Sequence, residues 1–453
     1  MASSRKKTPQ SDLVARVESF LIRQLEPARP ARLCVGLSGG LDSIVLLHLA
    51  AACREKIACE LSAIHVHHGL SPNADDWAEF ACRSAAALGI ECRVERVRVE
   101  RRAELGLEAA ARHARYAVFE SQDCDALLLA QHRDDQAETL LLNLLRGGGV
   151  RGLAAMPPSR RLASGARLLR PLLDVSREEI LAWARQNRLD WIDDESNLDQ
   201  TIARNRLRHT VLPFLDNLYP GAAAQLARSA GHLAESAQIL GEVGEADLQT
   251  CLVDRTFDLD RAAGLSEARW RNALRVWLAR AGINPDARAF NELLRMMRDA
   301  RGDAEPCWAW RDQAVRRYRG RLCLGPARIV AGPEISVQWC EGRNIGVPQW
   351  RGELIWQRTD APGIGECYLS GAVLLRPRNG GESIRRVPDG PHRVLKHLWQ
   401  EAGIPPWVRE STPLLWIDGK LAAVPGLCIA AEFLEPGGWQ VVWRAAPAGV
   451  VFE

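Results

Sequence analysis

Apolar positions in the opening part of the chain switch repeatedly between short continuous runs and a helical spacing. After a polar lead up to Ser11, read as disordered, Leu13, Val14, Val17, Phe20, Leu21 and Leu25 recur with helical period, and Pro27 and Pro30 end that helix. Residues 33–37 form a run with the length of a buried strand, and 44–50 begin a helix. The pattern then predicts strands over 61–66, 92–99 and 126–130, alternating with helices over 73–87, 107–120 and 134–145. That alternation predicts a doubly wound α/β domain with a parallel sheet, whose ligands sit beyond the carboxyl ends of the strands.

The pattern changes from Pro220. Residues 222–248 are alanine-rich with helical spacing, and 270–278 and 289–297 continue it. Trp308, Trp310, Arg311, Arg316, Arg317, Tyr318 and Arg319 alternate with apolar residues and predict strands with basic faces. Residues 348–365 are rich in Pro and Gly and read as a connection. Beyond Glu366 come Leu374-Leu375-Arg376-Pro377-Arg378-Asn379-Gly380-Gly381-Glu382, a basic helix over 393–399, and apolar runs at 414–417 and 421–424. The expected division is a catalytic α/β domain over 1–216, a mainly helical domain over 217–330, a linker over 331–365, and a small α+β domain over 366–453.

Composition narrows this only a little. A length of 453 residues, 47% hydrophobic and 25% charged, is that of a soluble globular protein with two or three domains. A net charge of +3 does not demand a nucleic-acid partner, so one must be argued from local patches. The 12 cysteines are scattered and form no Cys-x-x-Cys pair. Cys34, Cys59, Cys82 and Cys124 lie in or beside apolar runs, which predicts buried free thiols. Residues 1–12 hold no apolar leader and no run approaches membrane-spanning length, so a cytoplasmic protein is expected.

The candidate chemistry falls just after the strands. Ser38-Gly39-Gly40-Leu41-Asp42-Ser43 joins the first strand to its helix. Glycines there let backbone N–H groups approach an anion, the helix dipole favours it, and Ser38 and Ser43 add donors. Leu41-Asp42 stands where a Walker A loop needs Lys and Ser or Thr, and the run is not G-x-G-x-x-G. His65 and His67 share a strand face beside His68, which suits either zinc or hydrogen-bonded imidazoles. Glu108, Arg112 and Arg115 share a helix face, either solvated or turned to phosphate. In Gln131-His132-Arg133-Asp134-Asp135-Gln136-Ala137-Glu138-Thr139, Asp134 is placed to cap the helix, with Asp135 and Glu138 in its first turn. Acids there answer the dipole, and with His132 they also suit Mg²⁺ or an amine. Residues 146–152 are glycine-rich and basic, a flexible loop suited to a polyanion, with Arg146 and Arg151 as contacts. Arg204, Arg206, Arg208 and His209 lie on a helix whose core face is Leu207, Val211, Leu212 and Leu215, leaving the arginines for phosphate or solvent.

Ser38 to Ser43 resembles the PP-loop of ATP pyrophosphatases, of the adenine nucleotide α hydrolase-like fold. The block Glu108-Ala109-Ala110-Ala111-Arg112-His113-Ala114-Arg115-Tyr116, the His132 to Thr139 block and the Arg146-Gly147-Gly148-Gly149 loop follow in order. So do Arg170-Pro171-Leu172-Leu173, Trp191-Ile192-Asp193-Asp194-Glu195-Ser196-Asn197 and Arg204-Asn205-Arg206-Leu207-Arg208. Together they resemble the bacterial tRNA(Ile)-lysidine synthetase family, with His67 where that family usually has Asn. The resemblance is dense over the first half of the chain, and the tail resembles that family's small C-terminal domain.

The resemblance implies a ligase that adenylates C2 of the wobble cytidine of a tRNA(Ile) bearing CAU. L-lysine then replaces AMP and codon reading changes from AUG to AUA. Ser38, Gly39, Gly40, Leu41, Asp42 and Ser43 would hold ATP, and Asp42 would hold Mg²⁺. Asp135 and Glu138 would receive lysine, one of them taking the amine's proton. Arg112 and Arg115 would steady phosphate or the lysine carboxylate, and His132 would complete the catalytic set. Arg146, Arg151, Arg204, Arg206, Arg208, Arg376, Arg378, Arg393 and Lys396 would contact tRNA, the C-terminal ones at its acceptor end. The oligomeric state stays open, a homodimer among the options. Other PP-loop transferases, a tRNA thiolase or an amidating synthetase, remain alternatives, as does an RNA-binding protein with a dead nucleotide domain.

Overall fold

The computed structural model describes residues 12–25, 31–99, 106–195, 199, 201–299, 305–341 and 343–445. The polar lead to Ser11, the Pro27 and Pro30 stop, Ser196 and Asn197, and the Glu108 side chain lie outside the described residues. The chain divides into two compact units, Met1–Leu240 and Gly241–Glu453.

The first unit is a six-stranded sheet between helices. Its elements are α1 (Asp12–Gln24), β1 (Ala31–Gly36), α2 (Leu41–Cys53), β2 (Cys59–His67), α3 (Ala74–Ala86), β3 (Glu91–Arg96), α4 (Gly106–Glu120), β4 (Ala126–Leu128) and α5 (Arg133–Leu145). They continue with α6 (Val150–Leu153), β5 (Ser159–Arg161), β6 (Arg167–Leu169), α7 (Arg177–Gln186), α8 (Ala203–Arg206), α9 (Leu212–Leu218) and the part of α10 (Ala222–Cys251) up to Leu240. The strand order is β3-β2-β1-β4-β6-β5, parallel except for the β5–β6 hairpin.

The sheet is parallel because its strands are apolar on both faces. Leu33 and Val35 of β1 pack into one core with Leu46, Leu47 and Ile180, while Cys34 packs with Ile64, Leu127 and Leu168 in the other. Because β1 lies between β2 and β4, successive crossovers leave it in opposite directions, which opens a crevice at its carboxyl end. The hairpin over 159–169 had no clear periodicity in the sequence and extends the sheet past β4.

The second unit carries helices and antiparallel sheets. Helices Glu267–Arg280 and Ala287–Asp299 share a core with a five-stranded sheet through Leu274, Trp277, Phe290, Trp308 and Val315. Two further five-stranded sheets enclose Trp350, Trp356, Leu375, Leu415 and Trp439.

Here the expected linker over 331–365 is corrected. Strands Ile335–Gln338, Ile345–Val347 and Gly352–Arg358 belong to those two sheets, and Trp350 and Trp356 are core residues. Short strands broken by Pro and Gly masked the pattern. The expected basic helix over 393–399 also begins later, at Leu395, after a strand His392–Val394.

Candidate active site

The turn after β1 is built to leave donors exposed. Gly39 has φ +88°, a conformation that favours glycine, and a Cβ there would lie 3.0 Å from Ile192 Cδ1, which would have to yield. Ile192 N–H also donates to the Gly39 carbonyl, tying the 191–195 segment to the turn. The serines fix the turn from within. Ser43 Oγ donates to the Gly40 carbonyl (2.9 Å) and accepts from Ser38 N–H (3.2 Å), and Ser38 Oγ accepts from Gly40 N–H. No side chain caps α2. The N–H groups of Leu41, Asp42 and Ser43 therefore have no intrahelical acceptor and sit at the positive end of the helix dipole.

Asp42 Oδ1 is buried and has no hydrogen-bond partner, an orphaned acceptor beside this cradle. One carboxylate together with nucleotide phosphates is the usual way Mg²⁺ is held, so the donor set fits that ion. Among the described residues, no group of three or more His, Cys, Asp or Glu side chains forms a metal site.

His132 closes β4's loop and is 1% exposed. Its Nε2 lies 3.6 Å from Asp42 and 3.6 Å from Asp135, and its Nδ1 lies 3.6 Å from Asp134. Burial pulls its pKa down, but Asp135, Asp134 and Asp42 outweigh that and lift it to about 10, so the ring is an imidazolium. Burial likewise works against ionisation of Asp134, yet His132 and the Arg177 N–H bring it to about 2. The expected cap is corrected here. Asp135, not Asp134, closes the start of α5, accepting from His132 N–H at 3.0 Å. Asp134 instead accepts from Arg177 N–H at 2.9 Å.

Asp135 and Glu138 come together as expected, but each is already occupied. Arg204 Nε donates to Glu138 (2.6 Å) and its Nη2 to Asp135 (2.9 Å). Arg208 does the same, Nε to Glu138 (2.6 Å) and Nη2 to Asp135 (2.9 Å). Burial raises the pKa of Asp135, but His132, Arg204 and Arg208 hold it below its ordinary value. Arg204 and Arg208 are thus corrected as free phosphate contacts: both guanidinium groups are turned inward onto carboxylates. A π-helical turn over Leu207–Val211 joins α8 to α9 and accompanies this inward turn. Arg206 stays exposed and donates to the Thr201 carbonyl.

The histidines have separate partners. His65 Nδ1 donates to the Leu37 carbonyl (2.9 Å), with its pKa lowered by burial. His67 faces Asp75 (3.2 Å) and Arg96. Burial, with Arg115 adding to it, pushes His68 down to about 4.

On α4, Arg112 lies over the Tyr116 ring at 4.9 Å, and Arg160 lies over the same ring at 5.0 Å. Arg170, 3% exposed, donates to Gln131 (3.0 Å) and to the Pro157 carbonyl (2.7 Å). The sequence assigns no role to Arg160 or Arg170, because the hairpin that carries the first and precedes the second shows no clear periodicity.

The 146–152 loop is tighter than expected. Gly148 N–H donates to the Asn143 carbonyl (2.7 Å) and Asn143 Nδ2 to the Gly152 carbonyl (2.6 Å), so it is a pinned helix end. Arg146 and Arg151 remain exposed on it. In the second unit, Arg376 pairs with Glu334 (3.0 Å), Arg378 with Glu382 (3.9 Å) and Arg393 with Glu401. These three candidates are therefore partly neutralised, whereas Lys396 is exposed.

Comparison with known proteins places these sites in context. A PP-loop domain model matches residues 12–215, a TilS substrate binding domain model 257–323, and a TilS substrate C-terminal domain model 373–443. A tRNA(Ile)-lysidine synthase of Chromobacterium violaceum is 43% identical over 419 residues, 91% of this chain and 95% of that one. That of Nitrosomonas europaea is 39% identical over 451 residues, 98% of each chain. That of Ralstonia nicotianae is 42% identical over 429 residues, 91% of this chain and 92% of that one.

Proposed function

The chain belongs to the tRNA(Ile)-lysidine synthase family, and on that premise we propose that it joins L-lysine to C2 of the wobble cytidine of a CAU-bearing tRNA(Ile). ATP activates the cytidine oxygen by adenylation, and diphosphate and then AMP leave. The observation that carries this reading is the uncapped turn from Ser38 to Ser43 beside the Asp135–Glu138 carboxylates. An anion cradle and a cation-binding acid pair lie at the carboxyl edge of one sheet.

The N–H groups of Leu41, Asp42 and Ser43 hold the departing phosphates. Asp42 is the residue that would hold Mg²⁺, which when bound offsets charge on those phosphates. Imidazolium His132 keeps Asp42, Asp134 and Asp135 together without repulsion.

Lysine enters by exchange of ion pairs. Its ammonium groups take the places of guanidinium on Asp135 and Glu138, and its carboxylate takes a released Arg204 or Arg208. Glu138, fully buried, then accepts the proton that makes the amine a nucleophile. Arg112 and Arg115 steady the phosphate side, and Arg146, Arg151, Arg206 and Lys396 meet the tRNA backbone. ATP, free lysine and tRNA are cytoplasmic, and so on this reading is the protein.

The test is direct. Purified protein with ATP, labelled lysine and tRNA(Ile) bearing CAU should place label in RNA. Label absent under those conditions, or ATP converted to AMP only when a sulfur or ammonia donor replaces lysine, contradicts the reading.

A further inference from the structure

A second cationic feature lies in the same unit, away from the β1 turn. A groove of about 860 Å³ runs between α1, α5, the 154–158 and 170–174 segments, and α10. Arg23, Arg133, Arg170 and Arg228 line it. Asp174 is its one lining acid, and it is already paired with Arg16 (3.1 Å). Among the described residues, no carboxylate stands at ion-pair distance from Arg23, Arg170 or Arg228, and Arg133 has only Glu179, at 3.9 Å. Arg133 Nε is buried with no hydrogen-bond partner. Four guanidinium groups lining one groove with so few carboxylates opposite them make it positive and suited to an anion.

The far wall explains why the groove is open. Ala227 and Gly231 of α10 face it, and a Cβ built on Gly231 would meet nothing within 4 Å.

Arg170 ties the groove to the chemistry. Its Nε is bonded to Gln131, the neighbour of His132, and its guanidinium also interacts with the Tyr116 hydroxyl. Tyr116 in turn lies between Arg112 and Arg160. Arg170 thus joins the lining of the groove to the segment next to His132.

We propose that the groove lined by Arg23, Arg133, Arg170 and Arg228 carries the phosphodiester backbone of the RNA substrate. It leads that backbone past Tyr116 toward His132. This rests on the RNA-modifying reading above. The occupant is a chain of phosphates because Arg23 and Arg228 are exposed, Arg133 and Arg170 lie deeper in the same groove, and the alanines and prolines of its lining suit ribose.

Gly231 supplies a test that does not remove any arginine. Gly231→Glu adds a negative charge where there is room, and it improves helix propensity, so the fold should be kept. It should weaken tRNA(Ile) binding about tenfold at low salt and flatten the dependence of binding on salt. Gly231→Gln, of the same size, should bind within about twofold of wild type. Three results overturn the proposal: Gly231→Glu binding tRNA like wild type, Gly231→Gln weakening it as much as Gly231→Glu, or Gly231→Glu losing inorganic pyrophosphate while keeping tRNA. Lysine incorporation by the wild type separates the two readings. If the wild type makes no lysidine but binds tRNA, and Gly231→Glu weakens that binding, the enzymatic reading fails and the groove stands.

Discussion

Arg208 Nε lies 2.6 Å from a Glu138 carboxylate that has no solvent exposure, although 70 residues separate them in sequence. The same acid is held at 2.6 Å by Arg204. Two guanidinium groups on two acids make a closed charge cluster at the candidate lysine site. Removing one partner strands a buried charge, which costs about 3–5 kcal/mol. Glu138→Ala should therefore lower the urea midpoint clearly, and Arg208→Met in the Glu138→Ala background should restore part of it. A variant as stable as wild type would contradict the cluster's role.

Lysine binding should separate from ATP chemistry. Asp135→Ala leaves the Ser38 to Ser43 cradle intact but removes a carboxylate that lysine needs. The expected result is a rise of about tenfold or more in the KM for lysine, from loss of a charge-assisted contact. An unchanged KM removes Asp135 from that task.

Asp42 should behave in the opposite way. Its Oδ1 makes no hydrogen bond, while its Oδ2 lies 3.6 Å from His132. In Asp42→Ala, exchange of pyrophosphate into ATP in the presence of tRNA should fall by about a hundredfold or more, and Tm should fall as well because buried His132 loses one of its three acids. Exchange like that of wild type would refute its role.

Gly39 is held at φ +88° against Ile192. Gly39→Ala forces a side chain into that conformation at about 1–2 kcal/mol. It should raise the KM for ATP while the KM for lysine changes less, and equal effects on both would mean that the turn serves the whole site.

The charge on His132 gives a pH signature. Its folded pKa, about 10, lies above the ordinary value of 6.5, so its stabilising contribution is complete below that ordinary value. The contribution is lost as pH rises through about 10. Tm should fall over that upper range in wild type and fall less in His132→Gln. Parallel profiles would show that the ring is not charged.

Much of the first unit was legible because parallel strands are continuous apolar runs and each is followed by its polar residues. Gly39, Asp42, His132 and Asp135 fall at strand ends for that reason. The Arg204 and Arg208 pairing was not legible, since a helix pattern gives the core face but not which distant acid a long side chain meets. The same limit concealed Glu334 behind Arg376 and Glu401 behind Arg393. Residues 345–358 read as a connection because Gly and Pro interrupt strands only a few residues long. Arg170 was visible as part of a motif, yet its burial without a carboxylate is a tertiary fact.

On this proposal, the amides of Leu41, Asp42 and Ser43 hold a triphosphate while its adenylyl group is transferred. The most direct measurement follows ATP labelled at the α phosphate, with lysine and CAU-bearing tRNA(Ile) present. Labelled AMP should form in step with lysine entering RNA, and a labelled adenylyl-RNA should accumulate when lysine is withheld. Labelled ADP, or lysine incorporation with no AMP, would contradict it.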